Sequence, residues 1–166
     1  RLSKSLDHQF LILRSKKEYD DNTIYDFSPE IILYYGWSWI VNKEMVKNYD
    51  CIMLHPSPLP KYRGGSPIQN QIINDDEFSA VTLFLMDDGL DTGPILAQKE
   101  YSLSGELSEI FQRISNIGYE LTFRILNEGL NPIPQDENSA TVYKRRKPNE
   151  SEITIDEIQN KPGKYL

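Results

Sequence analysis

The 166-residue chain has a single cysteine, Cys51, and two histidines, His8 and His55. One thiol excludes an internal disulfide and suits a reducing compartment, so a cytoplasmic location is expected. With so few soft ligands and no His-x-x-His or Cys-x-x-Cys spacing, no metal centre is expected. No run approaches the roughly 20 apolar residues of a membrane helix. The longest, from Ile31 to Val41, is broken by Gly36 and Ser38, and the opening RLSKSLDHQ lacks a signal-peptide core. Basic charge is short too: 18 Lys and Arg against 25 Asp and Glu give a net charge of −7. Phosphate neutralisation supplies most nucleic-acid affinity, so this balance disfavours a bulk polyanion but leaves room for a small phosphate-bearing ligand. A Gly-x-Gly-x-x-Gly turn is missing, which weakens a plain nucleotide-binding reading. A Gly-x-Ser-x-Gly elbow is missing as well, which weakens a serine-nucleophile reading for Ser57.

What is present fits one globular domain with a sizeable core: 39% hydrophobic and 26% charged residues. The chain begins without Met and ends on NKPGKYL, so further residues are expected on both sides. Short apolar runs at Gln9–Leu13, Glu30–Gly36, Cys51–Leu54 and Ala80–Met86 read as strands. Pro94–Leu103 partly alternates, as an edge or hairpin strand does. Lys17–Phe27 is loosely helical, Asn42 is placed to cap a short helix, and Ser66-Pro67 to cap and start another. Leu107, Ile110, Phe111, Ile114, Ile117, Leu121, Ile125 and Leu126 mark a long amphipathic helix that Gly129 stops. The remainder, 131–166, is rich in proline and charge, with one strand near Thr141–Lys144. Near-continuous apolar strands alternating with helices predict an α/β fold with a mostly parallel sheet covered on both faces. In such a sheet the loops after Tyr35, Leu54 and Met86 gather at the carboxyl ends of the strands, where ligands bind.

Chemistry-bearing residues fall in those loops. CIMLHPSPLPKYRGGSPI places His55 at the end of a buried strand, followed by Pro56, Pro58 and Pro60, which remove backbone freedom. A lone histidine is more often structural, and His8 is read so; the position of His55 favours function. In MDDGLDTGPI, Asp87 and Asp88 suit a solvated turn, whereas Asp91 lies between Gly89 and Gly93, which permit a loop to fold around a ligand. A carboxylate beside a histidine orients its tautomer and supports the imidazolium. Arg63, Gly64 and Gly65 precede a helix N-terminus, a place suited equally to an anion or to a simple turn.

Together, LHPSPLPKYRGGSPIQNQI and VTLFLMDDGLDTGPILAQ resemble the formyltransferases that use 10-formyltetrahydrofolate, over roughly Ile31–Lys147. The resemblance implies a Rossmann-like folate-binding domain over 1–130, lacking its first strand and glycine turn, followed by an extended segment over 131–166. It implies catalytic roles for His55 and Asp91. It implies a pterin pocket walled by Tyr35 and Gly36 and by Leu85, Met86, Asp87, Asp88 and Gly89. One position departs from the family pattern: its catalytic Asn matches Met53, and a thioether cannot donate to an oxyanion. Either Gln69 or a backbone N–H substitutes, or transfer is slow or lost. The acceptor expected is the amine of a nucleotide-linked amino sugar, since TVYKRRKPNESEI resembles the segment after the core in sugar N-formyltransferases. Ser57, Arg63, Gly64, Gly65, Gln69, Arg145 and Arg146 are the substrate-binding candidates. Methionyl-tRNA and a catalytically impaired binding domain are the alternatives. A homodimer is among the oligomeric states left open.

Overall fold

The computed structural model describes residues 8–160. Helix α1 (Asp21–Phe27) starts where the Asp20 carboxylate accepts from Thr23 N–H, and stops at Ser28, whose φ of 50° turns the chain out. Strand β1 (Ile31–Tyr34) follows, then α2 (Lys43–Asn48), capped by Asn42 through Glu44 N–H at 3.0 Å. Strand β2 spans Asp50–His55, the two-residue β3 Arg63–Gly64, and α3 Pro67–Ile73. Strands β4 (Phe78–Leu85) and β5 (Ile95–Ser102) lead to the long helix α4 (Leu107–Glu128). Glu106 and Glu109 cap α4 reciprocally, and it ends at Gly129. Beyond it lie β6 (Val142–Tyr143) and α5 (Ile155–Asn160).

The main sheet has the order β1-β2-β4-β5. Only β1 and β2 run parallel; β2 with β4 and β4 with β5 are antiparallel. The α/β class and the helical cover hold, but among the described residues the sheet is mixed rather than mostly parallel. The physical reason lies partly in the connection after β4. A parallel crossover needs a dozen or more residues and usually a helix, and the loop from Met86 to Pro94 has neither.

Side-chain alternation divides the core between the two faces. Ile31, Leu33, Ile52 and Leu54 share one apolar cluster with Val81, Leu83 and the inward stripe of α4, Ile110, Ile114, Leu121 and Ile125. Ile32, Tyr34, Cys51 and Met53 share the other with Ile24 of α1 and Met45 of α2. His55, two residues beyond Met53, falls on this second face.

Three local expectations change. Gln9–Leu13 forms no strand: Leu11 and Ile12 are exposed, and the partner of β1 is β2, so nothing in the main sheet pairs with the run. Ser66 precedes α3 but does not cap it with its side chain; its φ is 52°, and its hydroxyl accepts from Arg146 N–H instead. The loop after Met86 does not leave the sheet beside the end of β2. The register puts Leu85 opposite Ile52, three residues short of His55, roughly 10 Å along the strand. It must therefore return toward the imidazole.

Candidate active site

Three prolines leave the loop after β2 poor in N–H donors, so its carbonyls must find partners elsewhere. They find them in side chains from the surrounding elements. Gln71 of α3 donates to Pro56 O at 3.0 Å, Thr82 of β4 to Ser57 O at 2.6 Å, and Gln98 of β5 to Leu59 O at 3.0 Å. Ser57 donates its own hydroxyl to Lys61 O at 2.9 Å. All this pins the chain that runs from His55 to Tyr62. Tyr62, at φ 61°, is itself held by Thr141 at its N–H and stacks on Tyr143 at 4.9 Å.

His55 is 6% exposed. Its Nε2 lies 2.8 Å from the Tyr62 carbonyl, and a carbonyl can only accept, so Nε2 carries the proton. The free nitrogen is Nδ1, which faces Asp91 Oδ2 at 3.7 Å. That separation is too long for a direct hydrogen bond and short enough for an ion pair once Nδ1 is protonated. Asp91 has its side chain 15% exposed, and its carboxylate accepts from Gly64 N–H at 2.7 Å.

The loop bearing Asp91 is closed at both ends. Asp87 Oδ1 accepts from Gly89 N–H at 3.0 Å and from the Thr92 hydroxyl at 2.6 Å. Leu85 N–H donates to Pro94 O at 3.0 Å. A side chain at Gly93 would place its Cβ 1.7 Å from Leu85 O, so only glycine fits there. Gly64, at φ +94°, is constrained similarly: a Cβ would meet the Tyr143 carbonyl at 2.3 Å.

Of the expected site residues, His55 and Asp91 come together. Met86, Asp87 and Asp88 line an open cleft of about 390 Å³ whose other wall is Lys43, Glu44, Val46 and Lys47 of α2. Tyr35 lies elsewhere, with its hydroxyl bonded to buried Thr122 of α4 and its ionisation pushed up to about 12 by burial. Ser57 is fully buried, its hydroxyl and carbonyl both engaged within the loop, so it is withdrawn as a substrate contact. Arg63 is corrected for the same reason. It is 3% exposed and its guanidinium is consumed by Gln135 and Glu137, which leaves no fork for a ligand phosphate. Gly65 packs against the Arg145 backbone, Gln69 is exposed on α3, Arg145 is exposed, and Arg146 bonds the Glu150 carbonyl. Sequence reasoning missed Tyr62, Gln71, Thr82, Gln98 and Gln135. Thr82, a polar residue within the apolar run of β4, was the one readable signal.

A family model described as formyl transferase matches residues 8–126. The chain belongs to the formyl transferase family. It is 38% identical to a methionyl-tRNA formyltransferase of Campylobacter lari over 171 residues, covering 99% of this chain and 56% of that protein. The methionyl-tRNA formyltransferase from Clostridium thermocellum superposes with a TM-score of 0.82 at 36% identity, covering 87% of this chain and 63% of that one. An N-formyltransferase from Helicobacter canadensis, solved with folinic acid and dTDP-3-aminofucose, superposes at 0.58 with 25% identity over 68% of this chain and 44% of its own. This formyl transferase chain spans about half the length of the curated relatives it matches.

Proposed function

We propose that the protein transfers a formyl group from 10-formyltetrahydrofolate to a primary amine, and that the amine is the methionyl group of an aminoacyl-tRNA. The observation that carries the transfer chemistry is the pairing of buried His55 with half-buried Asp91, with Nε2 tied to the Tyr62 carbonyl and Nδ1 left facing the carboxylate. With Nε2 committed, Nδ1 is the nitrogen that takes up or delivers a proton. As an imidazolium, His55 offers Nδ1–H to the oxyanion that develops when a neutral amine attacks the formyl carbon. Asp91 stabilises that cation and relays the amine proton toward the leaving folate nitrogen. Transfer is direct, with no covalent enzyme intermediate. The cleft beside Met86 is consistent with a donor site in size, about 390 Å³, and is walled by Val46 and Met86 together with the charged Lys43, Glu44, Lys47, Asp87 and Asp88.

For the acceptor, tRNA-formylating relatives at 34–38% identity support methionyl-tRNA above an amino-sugar nucleotide. The expectation that tRNA is disfavoured rested on the net charge of −7. That charge belongs to about half of a relative's length and does not describe the surface a longer protein presents. The loss of Arg63 as a diphosphate clamp also weakens the sugar-nucleotide reading. The second reading, a formyltransferase-like binding domain with little turnover, is favoured by Met53, which sits on the same sheet face as His55 and offers no donor.

The test is formation of tetrahydrofolate by the full-length protein with methionyl-tRNA and with a panel of nucleotide-linked amino sugars. Methionyl-tRNA is expected to be the better acceptor. Turnover with an amino sugar alone would overturn the acceptor assignment, and folate binding without turnover on either would favour the binding domain.

A further inference from the structure

The tripeptide Tyr62–Arg63–Gly64 touches both members of the candidate pair: its first residue takes the His55 Nε2 proton and its third donates to the Asp91 carboxylate. The residue between them turns away and reaches across 72 positions of sequence to Gln135. Arg63 Nε and Nη2 donate to Gln135 Oε1 at 3.1 and 2.8 Å. Nη1 and Nη2 donate to the two Glu137 oxygens at 2.8 and 2.7 Å. Gln135 then donates its own Nε2 to the Asp91 carbonyl at 2.9 Å and the Gly93 carbonyl at 2.7 Å.

This arrangement admits one orientation of the Gln135 amide. Arg63 presents donors only, and the two loop carbonyls present acceptors only, so the oxygen must face the arginine and the NH2 the loop. Such a hold suits the loop because Asp91 sits at φ 55°, in the left-handed region, which aspartate enters more readily than most residues but still at some cost.

We propose that Gln135, oriented by Arg63, is a positioning residue for formyl transfer: it fixes the backbone of Asp91 so that the carboxylate stays opposite His55 Nδ1. This rests on the formyl-transfer reading above. The 131–139 segment is thereby part of the catalytic apparatus.

Gln135→Glu separates positioning from packing. Glutamate keeps the shape and remains an acceptor for Arg63, but it cannot donate to the Asp91 and Gly93 carbonyls. In the full-length protein, Gln135→Glu is expected to lower the melting temperature slightly, since a carboxylate oxygen then faces two carbonyls. Its kcat is expected to fall by about 100-fold, the loss typical of a misplacement on the order of 1 Å. KM for the folate donor is expected to change little. Amide hydrogen exchange across residues 87–93 is expected to accelerate. Gln135→Met, which lacks both the donors and the acceptor for Arg63, is expected to show the same fall in kcat at little-changed KM should the glutamate variant fold poorly. Wild-type kcat together with wild-type exchange in either variant would overturn the proposal. If the wild-type protein forms no tetrahydrofolate with any acceptor, the formyl-transfer reading fails, and exchange across 87–93 alone decides whether Gln135 holds the loop.

Discussion

Met53 and His55 share one face of β2, since residues two apart along a strand point the same way. The family pattern puts a donor where this chain has a thioether packed among Tyr34, Met45 and Cys51. Restoring it by Met53→Asn is expected to raise kcat by on the order of 100-fold, the scale of one oxyanion-hole donor. The same change places an amide in an apolar cluster, so the melting temperature is expected to fall. An unchanged kcat would mean that a backbone N–H already serves. His55→Ala and Asp91→Asn are each expected to lower turnover by orders of magnitude. Because the two act as a unit, the double variant should lose little more than the worse single one. Cys51 is a control. It is 1% exposed, its thiol contacts the Met45 carbonyl at 3.5 Å, and burial pushes its ionisation up to about 11. At pH 8 a thiol reagent is expected to label Cys51 only as fast as the protein unfolds. Rapid labelling of the native state would contradict its burial.

Between β4 and β5 the loop from Met86 to Pro94 carries the acidic partner of His55, and its geometry depends on Gly93. Gly93→Ala would drive a methyl into the Leu85 carbonyl, so a lower melting temperature and a lower kcat are expected together. The 131–139 segment adds a pH dependence. Hydrogen bonding to Arg63 holds the Glu137 carboxyl below its ordinary value of 4.5. A carboxylate depressed on folding contributes stability that is present above pH 4.5 and is lost as pH falls through its folded value. The melting temperature of the wild type is therefore expected to drop more steeply below about pH 4.5 than that of Glu137→Gln. Parallel curves would contradict this. These elements also show what the sequence displayed and what it hid. The α4 stripe (apart from Leu107 and Phe111, which are exposed), the Asn42 cap and the Gly129 stop rest on neighbours a few residues apart, and each was readable. The antiparallel sense of β4 and the Arg63–Gln135–Asp91 chain are not local. The latter joins residues 44 and 72 positions apart, and no periodicity encodes such partners. Arg63 was misassigned for this reason: beside two glycines and a helix start it looked like an anion site, while its actual partners lay far downstream.

Over the whole molecule, two apolar clusters fix the faces of one mixed sheet, and the candidate site lies on the α1–α2 side of it. The meeting of His55 and Asp91 in space was expected from motif order, which survives where strand sense does not. The expectation that tRNA is disfavoured is not supported by the relatives, because charge was counted over a span that covers about half of their length. Phosphate-driven binding is salt-dependent. If methionyl-tRNA is the acceptor, KM for it should rise steeply with salt while KM for the folate donor changes far less. Equal salt responses would count against a nucleic-acid acceptor. No helix among the described residues is long and apolar enough to cross a membrane. The most direct test of the central claim is tetrahydrofolate release by full-length wild type and His55→Ala with 10-formyltetrahydrofolate and methionyl-tRNA. One tetrahydrofolate per formylated acceptor is expected in the wild type, and a loss of at least about 100-fold in the variant. Equal rates in the two proteins would contradict that claim.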